Sequence, residues 1–183
     1  MDLVKILKKG GVGVIPTDTL YGVVGSAFSK KTVERIYKVR GRDPKKPCII
    51  LISSIHDLQK FGISPELIRA NKSMLEKVWP GKVSIVLPVE KKSQKKITYL
   101  HRGVESLAFR FPNKKALIAI LKKTGPLVAP SANKEGFPPA LTISDAKKYF
   151  GDTIDFYMSA GTRKSKPSKI ISLVTGVPVV LRP

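Results

Sequence analysis

Residues 2–19 read Asp-Leu-Val-Lys-Ile-Leu-Lys-Lys-Gly-Gly-Val-Gly-Val-Ile-Pro-Thr-Asp-Thr, and this stretch decides the fold. Apolar side chains recur at helical spacing over residues 2–9, and Gly10-Gly11 stops the pattern. Val12 to Pro16 is then a short apolar strand that ends in the polar cluster Thr17-Asp18-Thr19. The same switch between helical and strand spacing repeats outward. Residues 30–39 read as a helix with Val33, Ile36 and Tyr37 on one face, Cys48 to Ile52 as a strand, and 54–60 and 64–78 as helices. Val83 to Val89 and Leu107 to Phe111 read as strands joined by a lysine-rich loop. A helix over 114–124, closed by Gly125-Pro126, leads to a short strand, Leu127 to Ala129. A helix over 143–150 and strands near 154–158, 169–174 and 178–181 finish the chain. Helices and strands interleave throughout, which predicts one α/β domain over 1–183. The closely spaced C-terminal strands predict a mixed sheet rather than a purely parallel one. Arg163 to Lys166 reads as a mobile loop, and no linker is long enough to divide the chain.

The composition is that of a globular protein, with 42% apolar and 26% charged residues over a length of 183. No apolar run approaches the roughly 18 residues of a membrane-spanning helix. The first residues lack the basic-then-apolar pattern of a signal peptide, so the expected location is the cytosol. Cys48, the single cysteine, excludes an internal disulfide framework and reads as a small buried hydrophobe within its apolar run. One cysteine and two histidines give no basis for a structural zinc site. Charge is the unusual feature: 34 Lys and Arg against 13 Asp and Glu, a formal net charge of +21. A field of that sign attracts nucleotides, tRNA or anionic lipid, although lysines scattered along the chain also serve solubility alone.

Several strand ends stop in small polar residues or arginine, and ligands of α/β sheets bind beyond such ends. Thr17-Asp18-Thr19 offers hydroxyls and an acid, or equally an Asx-type turn. The loop 40–47, Arg-Gly-Arg-Asp-Pro-Lys-Lys-Pro, supplies forks and point charges suited to phosphate, and reads equally as a solvated basic loop. Arg110 is more pointed. It sits in the apolar strand Leu-Ala-Phe-Arg-Phe-Pro (107–112), where a charge must reach water, an ion pair or an anionic ligand. Alternation puts Ala108 and Arg110 on one face, which predicts a cavity there. Pro130-Ser131-Ala132-Asn133 follows another strand and suits either a phosphate or purine contact or a helix N-cap. Gly10-Gly11-Val12-Gly13 precedes a strand, so it is no phosphate-cradling loop of the Walker type. The set of cationic and hydroxylic groups, with no evident nucleophile, suits chemistry driven by positioning and charge stabilisation.

Taken together, the motifs resemble those of the YrdC/Sua5 family of threonylcarbamoyl-AMP synthases. They run in order from Gly-Gly-Val-Gly-Val-Ile-Pro-Thr-Asp-Thr-Leu-Tyr-Gly (10–22) through the Arg-Gly-Arg loop closed by Pro47, Trp-Pro-Gly (79–81) and Phe-Arg-Phe-Pro (109–112). Ala-Pro-Ser-Ala-Asn (129–133), Pro-Ser (167–168) and Leu-Arg-Pro (181–183) complete the series. The resemblance spans residue 5 to the C-terminus and implies a twisted mixed sheet flanked by helices around a large, positively lined cavity. It implies that Thr19, Arg110 and Ala129 hold threonine, with Thr17, Asp18 and Tyr21 shaping the pocket. The family's Lys-x-Arg pair matches Lys38-Val39-Arg40 literally, but counted back from Pro47 it falls on Arg40 and Arg42, expected as the catalytic cations. Arg42, Lys46, Ser106, Ser131, Asn133, Ser168 and Arg182 are expected at ATP. Leu51 stands where many relatives carry histidine, and Lys169 where threonine often follows the serine. The chain stops at Pro183, the pattern of the short, single-domain type.

The implied reaction joins L-threonine, bicarbonate or CO₂, and ATP into threonylcarbamoyl-AMP and pyrophosphate. The product serves N6-threonylcarbamoyladenosine modification of ANN-decoding tRNAs. Mg²⁺ is expected to arrive with ATP, with no metal ligands from the chain. The product is expected to pass to a separate threonylcarbamoyltransferase complex, and tRNA to meet the basic surface. Two readings compete: a basic, non-catalytic RNA-binding module, and the carbamoyl-adenylate chemistry of the similar domain in hydrogenase-maturation proteins.

Overall fold

A computed structural model of the protein describes residues 2–183; Met1, within the domain expected over 1–183, lies outside the described residues. Nine strands form one sheet: β1 Gly13–Pro16, β2 Tyr21–Ser26, β3 Ile50–Leu51, β4 Val83–Pro88, β5 Ser106–Arg110, β6 Leu127–Val128, β7 Phe156–Tyr157, β8 Lys169–Ser172 and β9 Val179–Arg182. Their order is β7-β1-β2-β6-β3-β5-β4-β8-β9. The sheet is mixed, as expected: β1/β7, β3/β5 and β4/β8 run parallel, the other neighbours antiparallel. Eight α-helices accompany it: α1 Leu3–Lys8, α2 Lys30–Arg40, α3 Pro65–Ala70, α4 Lys72–Val78, α5 Lys91–Gln94, α6 Thr98–His101, α7 Lys115–Thr124 and α8 Ile143–Phe150.

Successive strand residues point to opposite faces, and here each face meets its own core. Val14, Val23, Ile50, Ile52 and Val128 join the core that α2 covers through Val33 and Ile36. Their neighbours Ile15, Val24, Leu51 and Leu127 join the core that α1 and α7 cover through Leu7, Leu117 and Leu121. Burial on both faces explains why β1, β3 and β6 read as apolar runs. On the α1/α7 side, β5 presents Ala108 and Arg110, and Leu51 is registered against Arg110. There the helical cover ends and a cavity begins.

The structure departs from the sequence expectations in five places. β2 was not anticipated, because two glycines dilute its alternation. The segment expected as one helix over 64–78 breaks at Asn71 into α3 and α4, and 54–60 is a 3₁₀ helix, Ile55–Phe61. The lysine-rich connection after β4 is not a loop but holds α5 and α6 with a 3₁₀ turn, Lys95–Ile97, between them. No helix begins at Ser131, so its N-cap reading falls. Among the described residues no helix is long and apolar enough to cross a membrane.

Two positions near β1 invite measurement. A Cβ on Gly13 would lie 2.1 Å from the ring of buried Phe156, so Gly13→Ala is expected to destabilise by about 1–3 kcal/mol in chemical denaturation. Asp155 accepts from Val12 N at 2.7 Å and from both terminal nitrogens of Arg35, tying β1 to α2. The Arg35 guanidinium holds its carboxyl below the usual carboxylate range. The folded value is the depressed one, so its contribution is present above the ordinary aspartate value and lost as pH falls through the folded one. The stability gap between wild type and Asp155→Asn is therefore expected to close as pH drops through that window.

Candidate active site

The cavity has a volume of about 360 Å³ and is walled by the ends of β1, β4, β5, β6 and β9 with the loops after α2, β6 and β7. Its lining includes Arg42, Arg110 and Arg182 and no aspartate or glutamate. Of the residues expected to bind substrates, Thr19, Arg42, Ser106, Arg110, Ala129, Ser131, Ser168 and Arg182 line it. Arg40, Lys46 and Asn133 do not: Arg40 is 2% exposed and lies behind Asn133, and the Lys46 side chain is 60% exposed. Cys48, buried as expected, also forms part of the wall.

One end is built around Arg110. β5 carries it inward, 4% exposed, where its Nη2 lies 3.2 Å from Asp18 Oδ1 and 3.4 Å from Thr17 Oγ1. The Asp18 contact balances charge without hydrogen-bond geometry, and Arg110 Nε has no partner. The guanidinium thus keeps donors free. Burial pulls its pKa down, Asp18 opposes that, and nearby Arg182 adds to it. Thr17 Oγ1 donates to Leu20 O at 2.7 Å and lies 3.1 Å from Thr19 Oγ1, fixing the turn after β1.

That turn is held from outside by residues the sequence did not single out. Arg163 donates to Thr17 O at 2.9 Å, and Lys114 Nζ to Pro16 O at 3.2 Å. Tyr21, expected only to shape the pocket, donates to Gly161 O at 2.7 Å and accepts from Ala160 N at 2.9 Å. The segment after β7 is thereby strapped over the site. Its signal in the sequence was slight: one arginine, Arg163, in a Gly-Thr-Arg-Lys-Ser run.

The other end holds Arg182, the last residue of β9. Its Nε donates to Ser168 O at 2.8 Å and its Nη2 to Ser168 Oγ at 3.2 Å, while Ser168 and buried Ser84 pair at 2.9 Å. At the rim, Gly41 (φ 57°) ends α2 in a left-handed turn, which sends Arg40 inward and Arg42 to the cavity. Lys38 stays exposed on the helix, so the spacing-based placement at Arg40 and Arg42 is the one whose side chains face inward. Arg42 donates to Lys46 O and Pro47 O. Glu135, unmarked in the sequence, gathers three cations: Lys46 at 3.3 Å, Arg42 at 3.7 Å and Arg40 at 4.0 Å.

The chain belongs to the Sua5/YciO/YrdC family, whose model, described as "Telomere recombination", matches residues 5–183. It is 29% identical over 182 residues to the threonylcarbamoyl-AMP synthase of Bacillus subtilis, covering 97% of this chain and 51% of that protein. The crystal structure of Pyrococcus abyssi Sua5 complexed with L-threonine superposes with a TM-score of 0.85 at 28% identity, over 98% of this chain and 52% of that one. Escherichia coli YciO shares the fold, with a TM-score of 0.81 at 23% identity over 98% of this chain and 85% of its own. The chain spans about half the length of the Bacillus and Pyrococcus proteins.

Proposed function

We propose that the protein is an L-threonylcarbamoyladenylate synthase, a nucleotidyltransferase acting in tRNA N6-threonylcarbamoyladenosine modification. The observation that carries this reading is Arg110, a buried, charge-balanced guanidinium with free donors at one end of a cavity whose rim and far end hold Arg42 and Arg182. Such a fork suits the carboxylate of an amino acid, and a solved relative binds L-threonine.

In this reading Arg110, Thr19 and Ala129 hold threonine. Its neutral amine attacks CO₂, forming the N–C bond of a carbamate and releasing a proton; with bicarbonate the same bond forms and the amine hydrogen leaves with hydroxide as water. A carbamate oxygen then attacks the α-phosphorus of ATP; the bond to the β-phosphate oxygen breaks and pyrophosphate leaves. Arg42 and Arg182 offset the charge that develops on the phosphates; Ser106 and Ser168 orient them, and Lys46, exposed at the rim beside Glu135, would swing inward to join them. The cavity shields two water-labile intermediates. Among the described residues no three His, Cys, Asp or Glu side chains gather as metal ligands. In this reading Mg²⁺ comes on the triphosphate. The product would pass to a threonylcarbamoyltransferase complex in the cytoplasm, and the charge of +21 would favour tRNA nearby.

The test is pyrophosphate release from ATP, Mg²⁺ and bicarbonate with and without L-threonine. Release that requires threonine is expected. Intact ATP with tRNA still bound would favour the basic RNA-binding module. Release driven by carbamoyl phosphate without threonine would favour the hydrogenase-maturation chemistry.

A further inference from the structure

Asn133 was expected to touch ATP, yet its amide has nothing left to offer a ligand. Its Nδ2 donates both hydrogens, to Lys134 O and Phe137 O, each at 2.9 Å. Its Oδ1 accepts twice, from Arg40 Nη2 at 3.1 Å and from Ser131 Oγ at 2.6 Å. That fills two donor and two acceptor positions, the full capacity of a primary amide. The orientation is forced, because a flipped amide would set NH₂ against the guanidinium and oxygen against two carbonyls.

The consequence falls on Ser131, which does line the cavity. A hydroxyl has one hydrogen, and that hydrogen is committed to Asn133 Oδ1, which cannot donate. Ser131 Oγ therefore presents only lone pairs. A phosphate oxygen, itself an acceptor, is the wrong partner for it; an N–H or O–H of the ligand is the right one. The neighbouring wall is mainly apolar, which suits the nucleoside, and Arg42 borders it through Pro47 O at 2.9 Å. Pro47, Cys48, Ile49, Pro130 and Pro139 share this stretch of wall, and Ala129 N donates to Ile49 O at 2.8 Å, setting the two segments side by side.

We infer that Ser131 is a specificity-determining residue that accepts a hydrogen bond from the nucleoside of the nucleotide, and that Arg40 is a positioning residue that fixes it through Asn133. The donor is either the base amine or a ribose hydroxyl. Arg40 is suited to the role: at 2% exposure it is outside the cavity lining, and its Nε and Nη1 have no hydrogen-bond partner. Its one hydrogen bond goes to Asn133. This departs from the expectation that Arg40 is a catalytic cation on the phosphates. The inference rests on the synthase reading for the identity of the ligand as ATP.

The test is equilibrium binding of ATP, inosine triphosphate, 2′-deoxy-ATP and 3′-deoxy-ATP, without threonine, to wild type, Ser131→Ala and Arg40→Leu. Wild type is expected to bind ATP about three- to tenfold more tightly than the one analogue that lacks the read donor. Inosine triphosphate assigns the base amine, and a deoxy analogue the ribose. In Ser131→Ala that preference collapses to about one, and Arg40→Leu, if folded by circular dichroism, loses it in the same way. A Ser131→Ala loss of equal size for all four nucleotides, or a wild type indifferent among them, overturns the inference. Full preference retained in a folded Arg40→Leu overturns the positioning role. A chain that binds none of the four overturns the synthase reading and this inference with it.

Discussion

Arg110→Ala is expected to lower threonine-dependent pyrophosphate release by on the order of 10²–10³, with KM for threonine rising far more than KM for ATP. The reason lies in how the guanidinium is held. Asp18 sits 3.2 Å from Nη2 and balances the charge, but not along a hydrogen-bond direction, so the fork is not used up by the protein. Alanine removes the fork and also strands Asp18, a carboxylate 6% exposed, without its counter-ion. Losing one partner of a buried pair costs about 3–5 kcal/mol, so a fall in rate alone would not separate binding from stability. Arg110→Lys does separate them. Lysine keeps a positive charge for Asp18 but cannot offer two parallel N–H groups to a carboxylate. It is expected to melt closer to wild type than alanine does and still to need much more threonine. Arg110→Lys with an unchanged threonine KM would mean that charge, not the fork, is what this site provides.

Arg110 was legible in the sequence because a charge in an otherwise apolar strand has few destinations, and alternation then fixed which face it shares with Ala108. The architecture was legible for a related reason: both faces of the sheet are buried, so β1, β3 and β6 stand out as apolar runs between helical periods. The glycine-diluted β2 and the short helices α5 and α6, built on a lysine-rich stretch, carry too weak a local signal, and contacts distant in sequence decide them. The site divided in the same way. Residues at strand ends could be found, because a strand's direction places its end. Arg163, Tyr21 as a tether and Glu135 could not, since each acts on a segment brought near only by the fold: Arg163 on Thr17, Tyr21 on Gly161, Glu135 on the Arg42 loop. The same limit hid the role of Asn133. Its residue type suits a nucleotide, while in the fold its amide is taken up by Arg40, Ser131 and two backbone carbonyls.

Arg182→Ala is expected to produce the complementary loss: pyrophosphate release down by on the order of 10²–10³, KM for ATP raised, and calorimetric threonine binding nearly unchanged. Arg182 stands at the edge of the sheet, where β9 pairs only with β8 and where Val179, Val180 and Leu181 are about half exposed. Little of the core depends on it. Its hydrogen bonds run to Ser168 O and Oγ, and Ser168 keeps its contact with Ser84 when they are lost. The substitution should therefore leave the melting transition close to wild type, unlike Arg110→Ala. What it removes is positive charge facing the cavity across from Arg110. A site with one cation for the amino-acid carboxylate and another for the phosphates should fail in two separable ways. Arg182→Ala weakening threonine binding as much as Arg110→Ala does would mean that both cations serve one anion, and the division of the cavity into two ends would be wrong.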